Sequence, residues 1–227
     1  MVRGVKTALS PDSLMYLAGL VDQDEVLARV ERETAEMPRS MMQVSPDQGA
    51  LLQVLVAAVG ATNALEVGTF TGYSAICIAR GLGESGKLTC LELDDDYAAI
   101  AQRNLEAAGV DDRVTIVRGP AGDSLAAMPE EPAYDFVFLD ADKTGYPAYY
   151  DQILPRMKPG ALLLIDNILM GGDVVDPEPG SRTGSTSCGG RRVRRWMRCR
   201  KSRSSTSCSW MRTRPAIRTT TSRSCRG

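Results

Sequence analysis

Three oxygen-bearing side chains stand at the ends of two apolar runs in this 227-residue sequence. Asp140 follows Phe136-Val137-Phe138-Leu139, and Asp166-Asn167 follow Ala161-Leu162-Leu163-Leu164-Ile165. Neighbouring parallel strands with these ends would bring Asp140, Asp166 and Asn167 to one spot. The chain contains no histidine and has no cysteine near either run. An all-oxygen set of this kind suits a hard cation such as Mg²⁺, Ca²⁺ or Mn²⁺. Asp166 and Asn167 could instead cap a following turn. Asp140 resists that reading, because a carboxylate placed directly after a fully apolar strand is desolvated without a compensating cation. The missing histidine also excludes His-based triads, leaving carboxylates, amides, Lys, Tyr and Cys for any chemistry.

A second constellation lies upstream, from Asn63 to Ser74. The run Ala64-Leu65-Glu66-Val67 suits a buried parallel strand, Gly68 breaks it, Gly72 follows, and Ala75, Ile76, Ile78 and Ala79 begin a helical pattern. Strand, glycine turn and helix make the first half of a βαβ unit, whose ligands sit at the strands' carboxyl ends. The dinucleotide pattern G-x-G-x-x-G is absent, and no Gly-Lys-Ser/Thr follows to make a phosphate loop. Glu66 beside the turn disfavours phosphate and favours a cationic ligand. The pattern Glu66-x-Gly68-x-x-x-Gly72 resembles motif I of the class I S-adenosylmethionine-dependent methyltransferases, whose cofactor carries a sulfonium and an amino group. An ordinary glycine turn of an α/β protein fits this motif equally well. Glu92, at the end of the β-rich stretch Lys87–Leu93, is placed to accept hydrogen bonds from two ribose hydroxyls, which indicates a nucleoside without choosing between NAD and S-adenosylmethionine.

The remaining elements must hold these groups. Apolar positions between residues 12 and 36 recur at helical spacing and predict one or two amphipathic helices over the domain. Ser45-Pro46-Asp47-Gln48 is a capping box with proline at the first helical position, opening a helix that runs to Val59 and stops at Gly60. Asp94 and Asp95 cap a helix whose buried face is Tyr97, Ile100, Ala101 and Leu105, with Gly109 ending it. Val114–Val117 and Asp135–Leu139 are strands, and a helix with Tyr149, Ile153 and Leu154 precedes Pro159-Gly160 and the strand Ala161–Ile165. Strands alternating with helices predict an α/β fold with a doubly wound, mostly parallel sheet.

With these elements in place the resemblance sharpens. Phe136 to Lys143 (Phe-Val-Phe-Leu-Asp-Ala-Asp-Lys) with Tyr146 and Tyr149 resembles the metal-dependent O-methyltransferases, the family of caffeoyl-CoA and catechol O-methyltransferases. So do Met42-Gln43-Val44-Ser45-Pro46-Asp47-Gln48-Gly49, the Glu66–Ser74 turn, and Asp166-Asn167 followed by Gly172-x-Val174. The resemblance spans about Met41 to Pro179 and implies a Rossmann-like class I methyltransferase fold. It implies that Asp140, Asp166 and Asn167 hold a divalent metal, with Asp140 also against the cofactor, and that Lys143 is the general base. Glu92 would bind the ribose of S-adenosylmethionine. Glu66, Gly68, Tyr73 and Ser74 would line its methionine part, Met42 and Val44 would lie over it, and Gly119, Pro120 and Ala121 would wall the adenine. The acceptor implied is a small-molecule hydroxyl, catechol-like or a vicinal diol.

Charge divides the chain. All 28 acidic residues lie at or before Glu178, while 14 of the 27 basic ones fall in Ser181–Gly227. Residues 1–180 read as the methyltransferase domain, with 1–40 as a helical cap. Residues 181–227 are rich in Arg, Ser and Thr, contain no leucine, and carry Cys188, Cys199, Cys208 and Cys225 without zinc-type spacing. Their composition reads as a disordered or out-of-frame segment, which would leave the closing antiparallel strands missing; the competing reading is a tail that binds nucleic acid on a degenerate methyltransferase fold. The absence of an apolar leader or membrane-length run gives a cytoplasmic, soluble expectation, with no membrane partner and a homodimer left open. Cys77 and Cys90, in apolar patterns, read as buried free thiols. An NAD oxidoreductase is the third reading, disfavoured by the glycine spacing.

Overall fold

The computed structural model describes residues 10–168, and the statements below concern those residues. The basic tail, the Gly172-x-Val174 motif and the expectation that the closing antiparallel strands are missing concern residues outside them. Twelve regular elements follow in order: α1 (Pro11–Ala18), α2 (Glu25–Ala35), α3 (Pro46–Ala58), β1 (Asn63–Val67), α4 (Tyr73–Gly81), β2 (Lys87–Glu92), α5 (Asp95–Ala108), β3 (Val114–Arg118), α6 (Ala121–Ala127), β4 (Tyr134–Leu139), α7 (Tyr146–Ile153) and β5 (Met157–Ile165). The strands form one all-parallel sheet in the order β3-β2-β1-β4-β5, so the order reverses beside β1. That reversal places a crevice at the carboxyl ends of β1 and β4, where open α/β sheets bind ligands.

Alternation along the strands feeds two cores. Leu65, Val67, Val137 and Leu139 join Leu91, Leu125, Tyr146 and Ile153 under α6 and α7. Ala64, Phe136 and Phe138 join Leu27, Val30, Leu52, Val56, Ile76, Ile78 and Leu105 under α2 to α5. Beyond the half-buried Asn63 at its start, β1 is therefore apolar on both faces apart from Glu66, as a central parallel strand should be. α3 presses against α4 through Gly49, where an added Cβ would fall 2.7 Å from the Tyr73 ring and 2.9 Å from the Cys77 sulfur. Cys77 and Cys90 are free and buried. No helix among the described residues is long and apolar enough to cross a membrane.

Two expectations need correction, and one helix went unannounced. The buried face of α5 is Ala98, Ala101, Asn104 and Leu105; Tyr97 and Ile100 are only half-buried. Tyr97 turns instead to Phe70, edge to face with ring centroids 4.6 Å apart. β5 begins at Met157, before Pro159-Gly160, and its register against β4 shifts between Tyr134 and Phe136. Gly160 takes a positive φ of 86° there, so the irregularity absorbs a proline that could not donate to a regular ladder. Finally, α6 carries only Leu125 as a buried residue, too little apolar periodicity to announce a helix in the sequence.

Candidate active site

The carboxyl ends of all five strands open into one cleft of about 740 Å³. Gly68 to Thr71 enter after β1, Leu91 to Asp94 from β2, Pro120 and Ala121 after β3, Asp140 to Lys143 after β4, and Asp166 and Asn167 after β5. Arg39 and Met41 to Val44 line it from the short 3₁₀ turn before α3, which Gln48 steadies by accepting the Ser45 amide at 3.0 Å. Of the residues expected here, Met42, Val44, Gly68, Tyr73, Ser74, Glu92, Pro120, Ala121, Asp140, Lys143, Asp166 and Asn167 line the cleft. Gly119 and Glu66 do not face it. Thr69, Phe70, Tyr97 and Tyr149 line it as well, none of them assigned a place in the site from the sequence.

The glycine turn is held rigidly. Gly68 has φ 91°, and a Cβ on it would lie 2.1 Å from the carbonyl oxygen of Asp140, so only glycine lets β1 pass this close to the β4 loop. Phe70 itself has φ 52°, a left-handed conformation that a non-glycine residue keeps only when its surroundings impose it. They do. Glu92 accepts the amides of Thr69 at 3.1 Å and Phe70 at 2.7 Å with one oxygen and that of Asp94 at 3.0 Å with the other. Asn104 donates to the Thr71 carbonyl at 2.9 Å, and Thr34 donates to the Thr71 hydroxyl at 3.0 Å. Such a turn meets a ligand already organised, which lowers the entropic cost of binding.

Glu66 sits fully buried beneath this turn. One carboxyl oxygen accepts from the Thr69 hydroxyl at 2.9 Å and the Cys90 thiol at 3.4 Å, while its other oxygen is a buried atom without a hydrogen-bond partner. Burial pushes its pKa up to about 7, with the nearby Ser74, Thr69 and Cys90 side chains opposing the rise and Asp140 adding to it. The sign of the consequence follows from linkage. Between the ordinary carboxyl value of 4.5 and about 7 the unfolded chain loses a proton that the native state keeps, so stability falls as pH rises through that window. The size is about 3 kcal/mol at full ionisation. Glu66→Gln should therefore melt increasingly above the parent protein as pH is raised from 4.5 to 7, and the gap should then level off. Melting curves without added cofactor check this; a gap independent of pH would show that Glu66 is not the titrating group.

The opposite wall carries the acid–base groups. Lys143 donates to Asp140 Oδ1 at 2.6 Å and to the Tyr146 hydroxyl at 2.7 Å. Burial pushes the Asp140 carboxyl up, Lys143 pulls it down, and the charge of Asp166 raises it again. Asp166 Oδ1 accepts the Asn167 amide at 2.7 Å, and the Asp166 amide donates to the Leu139 carbonyl at 3.0 Å, so the β4 and β5 ends are joined. Asn167 takes φ 51°, the left-handed region that asparagine tolerates better than most residues. No three His, Cys, Asp or Glu side chains cluster as a metal site among the described residues. The candidate set consists of two carboxylates and one amide, all hard oxygen donors, and two neighbouring carboxylates favour a cation between them. These residues fit a hard divalent ion.

Comparison with known proteins gives this arrangement its family. The profile of the O-methyltransferase family matches residues 19–193, extending beyond both ends of the Met41–Pro179 stretch. A catechol O-methyltransferase of Niastella koreensis is 40% identical over 164 residues, covering 71% of this chain and 74% of the relative. A Bacillus cereus O-methyltransferase solved with S-adenosylhomocysteine (SAH) superposes with a TM-score of 0.72 at 37% identity, covering 82% of this chain and 84% of that one. A Streptomyces achromogenes O-methyltransferase involved in tomaymycin synthesis, solved with S-adenosylmethionine (SAM), gives a TM-score of 0.72 at 34% identity, with 84% of each chain covered. A parallel sheet that reverses beside a glycine turn, an acid at the end of β2 and this degree of similarity lead to one conclusion: the chain belongs to the O-methyltransferase family, enzymes that use S-adenosylmethionine.

Proposed function

We propose that this S-adenosylmethionine-dependent O-methyltransferase works with a divalent cation and methylates one hydroxyl of a catechol-like or vicinal-diol small molecule. The observation that carries the reading is the meeting of Asp140, Asp166 and Asn167 at two joined strand ends, with Lys143 bonded to Asp140. Relatives named catechol and caffeoyl-CoA O-methyltransferases support the acceptor class. Methyl transfer from a sulfonium is an in-line displacement, so alignment and delivery of a deprotonated oxygen are the main tasks.

Each part of the chain has a share in this. Gly68 to Ser74, with Met42 and Val44 over them, hold the methionine portion; Glu92 takes the ribose and Pro120 and Ala121 flank the adenine. The cleft's carboxylates, Glu92, Asp94, Asp140, Asp142 and Asp166, suit a cationic methyl donor over its neutral product. A divalent ion held by Asp140, Asp166 and Asn167 would polarise the acceptor's paired oxygens and lower the pKa of the hydroxyl. Lys143, once it has given its own proton to solvent, takes that hydroxyl's proton as the neutral amine. Phe70 and Tyr97 close the cofactor side and limit access of water. Turnover of a catechol acceptor should vanish in EDTA and return with Mg²⁺; undiminished turnover in chelator would defeat the metal-dependent reading.

A further inference from the structure

We propose that Tyr146 is the positioning residue of this centre, its hydroxyl fixing Lys143 against the strand ends that carry Asp140 and Asp166. The proposal rests on the reading of Lys143 and the metal ligands given above. Tyr146 opens α7 and is 6% exposed, so its phenol must find its partners inside the protein. It finds three. Lys143 donates to its oxygen at 2.7 Å, and the hydroxyl reaches the Asp166 carbonyl at 3.1 Å and the Leu139 carbonyl at 3.4 Å.

A phenol has one proton. With two carbonyls on one side, that proton is committed to them, and a lone pair faces the Lys143 ammonium. Held on both sides in this way, the hydroxyl is a fixed dipole. Leu139 directly precedes Asp140, so the bridge spans the last bond of β4 and the turn after β5. One hydroxyl thus ties together the two strand ends and the lysine.

The tie matters because Lys143 and a cation want the same atom. Lys143 donates to Asp140 Oδ1 at 2.6 Å. Without a second partner, the ammonium could be held only by that ion pair, in direct competition with a divalent ion. The Tyr146 oxygen offers a neutral alternative, and the ammonium also lies 4.9 Å from the ring centroid. Lys143 can therefore surrender Asp140 and remain beside the acceptor.

Tyr146→Phe removes the hydroxyl and leaves the buried ring. Supporting contacts of this kind typically change metal affinity or activity by 10–100-fold, and a loss of about that size is expected in kcat. Mn²⁺ binding, read as free Mn²⁺ by electron paramagnetic resonance, should weaken by about 10-fold, while the Kd for S-adenosylmethionine measured by calorimetry stays within about twofold. Tyr134→Phe, whose hydroxyl faces the Met128 sulfur at 3.6 Å away from the centre, should leave all three readings unchanged and controls for loss of a buried phenol. Tyr146→Phe with parental kcat and Mn²⁺ affinity, while Lys143→Met is inactive, would overturn the role of Tyr146 alone. A parallel loss of S-adenosylmethionine affinity would make Tyr146 a general structural residue and overturn the proposal too. Full activity of Lys143→Met would instead defeat the base assignment, and this proposal with it.

Discussion

Asp140→Asn is expected to lower turnover by 10²- to 10³-fold while the protein melts no lower than its parent. The two halves of that result come from different physics. The side chain keeps its shape but loses the charge that answers both Lys143 and a bound cation, and Lewis-acid stabilisation of this kind amounts to several kcal/mol, or on the order of 10³ in rate. Stability does not suffer, because Asp140 is already penalised for ionising where it stands: burial and Asp166 push its carboxyl up, with Lys143 only partly opposing them. An uncharged amide avoids that desolvation cost. Steady-state rates at saturating Mg²⁺ and a melting curve decide it, and near-parental turnover would remove Asp140 from the metal site.

Gly68→Ala should do the reverse and act first on the fold. The added Cβ would fall 2.1 Å from the Asp140 carbonyl oxygen and 2.9 Å from its carbonyl carbon. These are backbone atoms of a neighbouring strand end, and no side-chain rotation relieves the overlap. The positive φ of 91° adds strain for any residue with a Cβ. Together these should cost about 4 kcal/mol, at the diagnostic end of single substitutions, and lower Tm by about 10 °C. Any folded remainder should bind S-adenosylmethionine poorly, because β1 and the β4 loop would have to part at the proposed cofactor seat. A melting temperature within about 2 °C of the parent would show that the two backbones are not so closely packed.

The sequence made the frame of this site legible because its signals are local. An apolar run, a glycine and a carboxylate in the right order name a strand end whatever surrounds them, so Glu92, Asp140, Asp166 and the glycine turn could be placed before any coordinates. What escaped depends on packing at a distance. Tyr97 looks like a core residue of α5 by periodicity, yet Phe70, a residue after β1, draws it into the cleft wall. Glu66 belongs to the cofactor turn in sequence, but strand alternation sends it to the face shared with Phe136 and Cys90 and out of the cleft. The early start of β5 was hidden by Pro159-Gly160, which punctuates a strand only where the register shifts. Tyr146 was visible in the sequence only as part of the motif around Asp140, because its bonds to the Leu139 and Asp166 carbonyls depend on how β4 and the end of β5 are brought together.

Glu92 has one more consequence. A carboxylate offers about four lone-pair positions, and the amides of Thr69, Phe70 and Asp94 already use three of them. On the reading proposed above, a ribose arriving with two hydroxyls would ask for two more, one beyond that count. The backbone would then already stand in the proposed nucleoside seat, and loading the cofactor would become an exchange with the amides of Thr69, Phe70 and Asp94. Ribose recognition and the setting of the turn would be a single event at the same carboxylate.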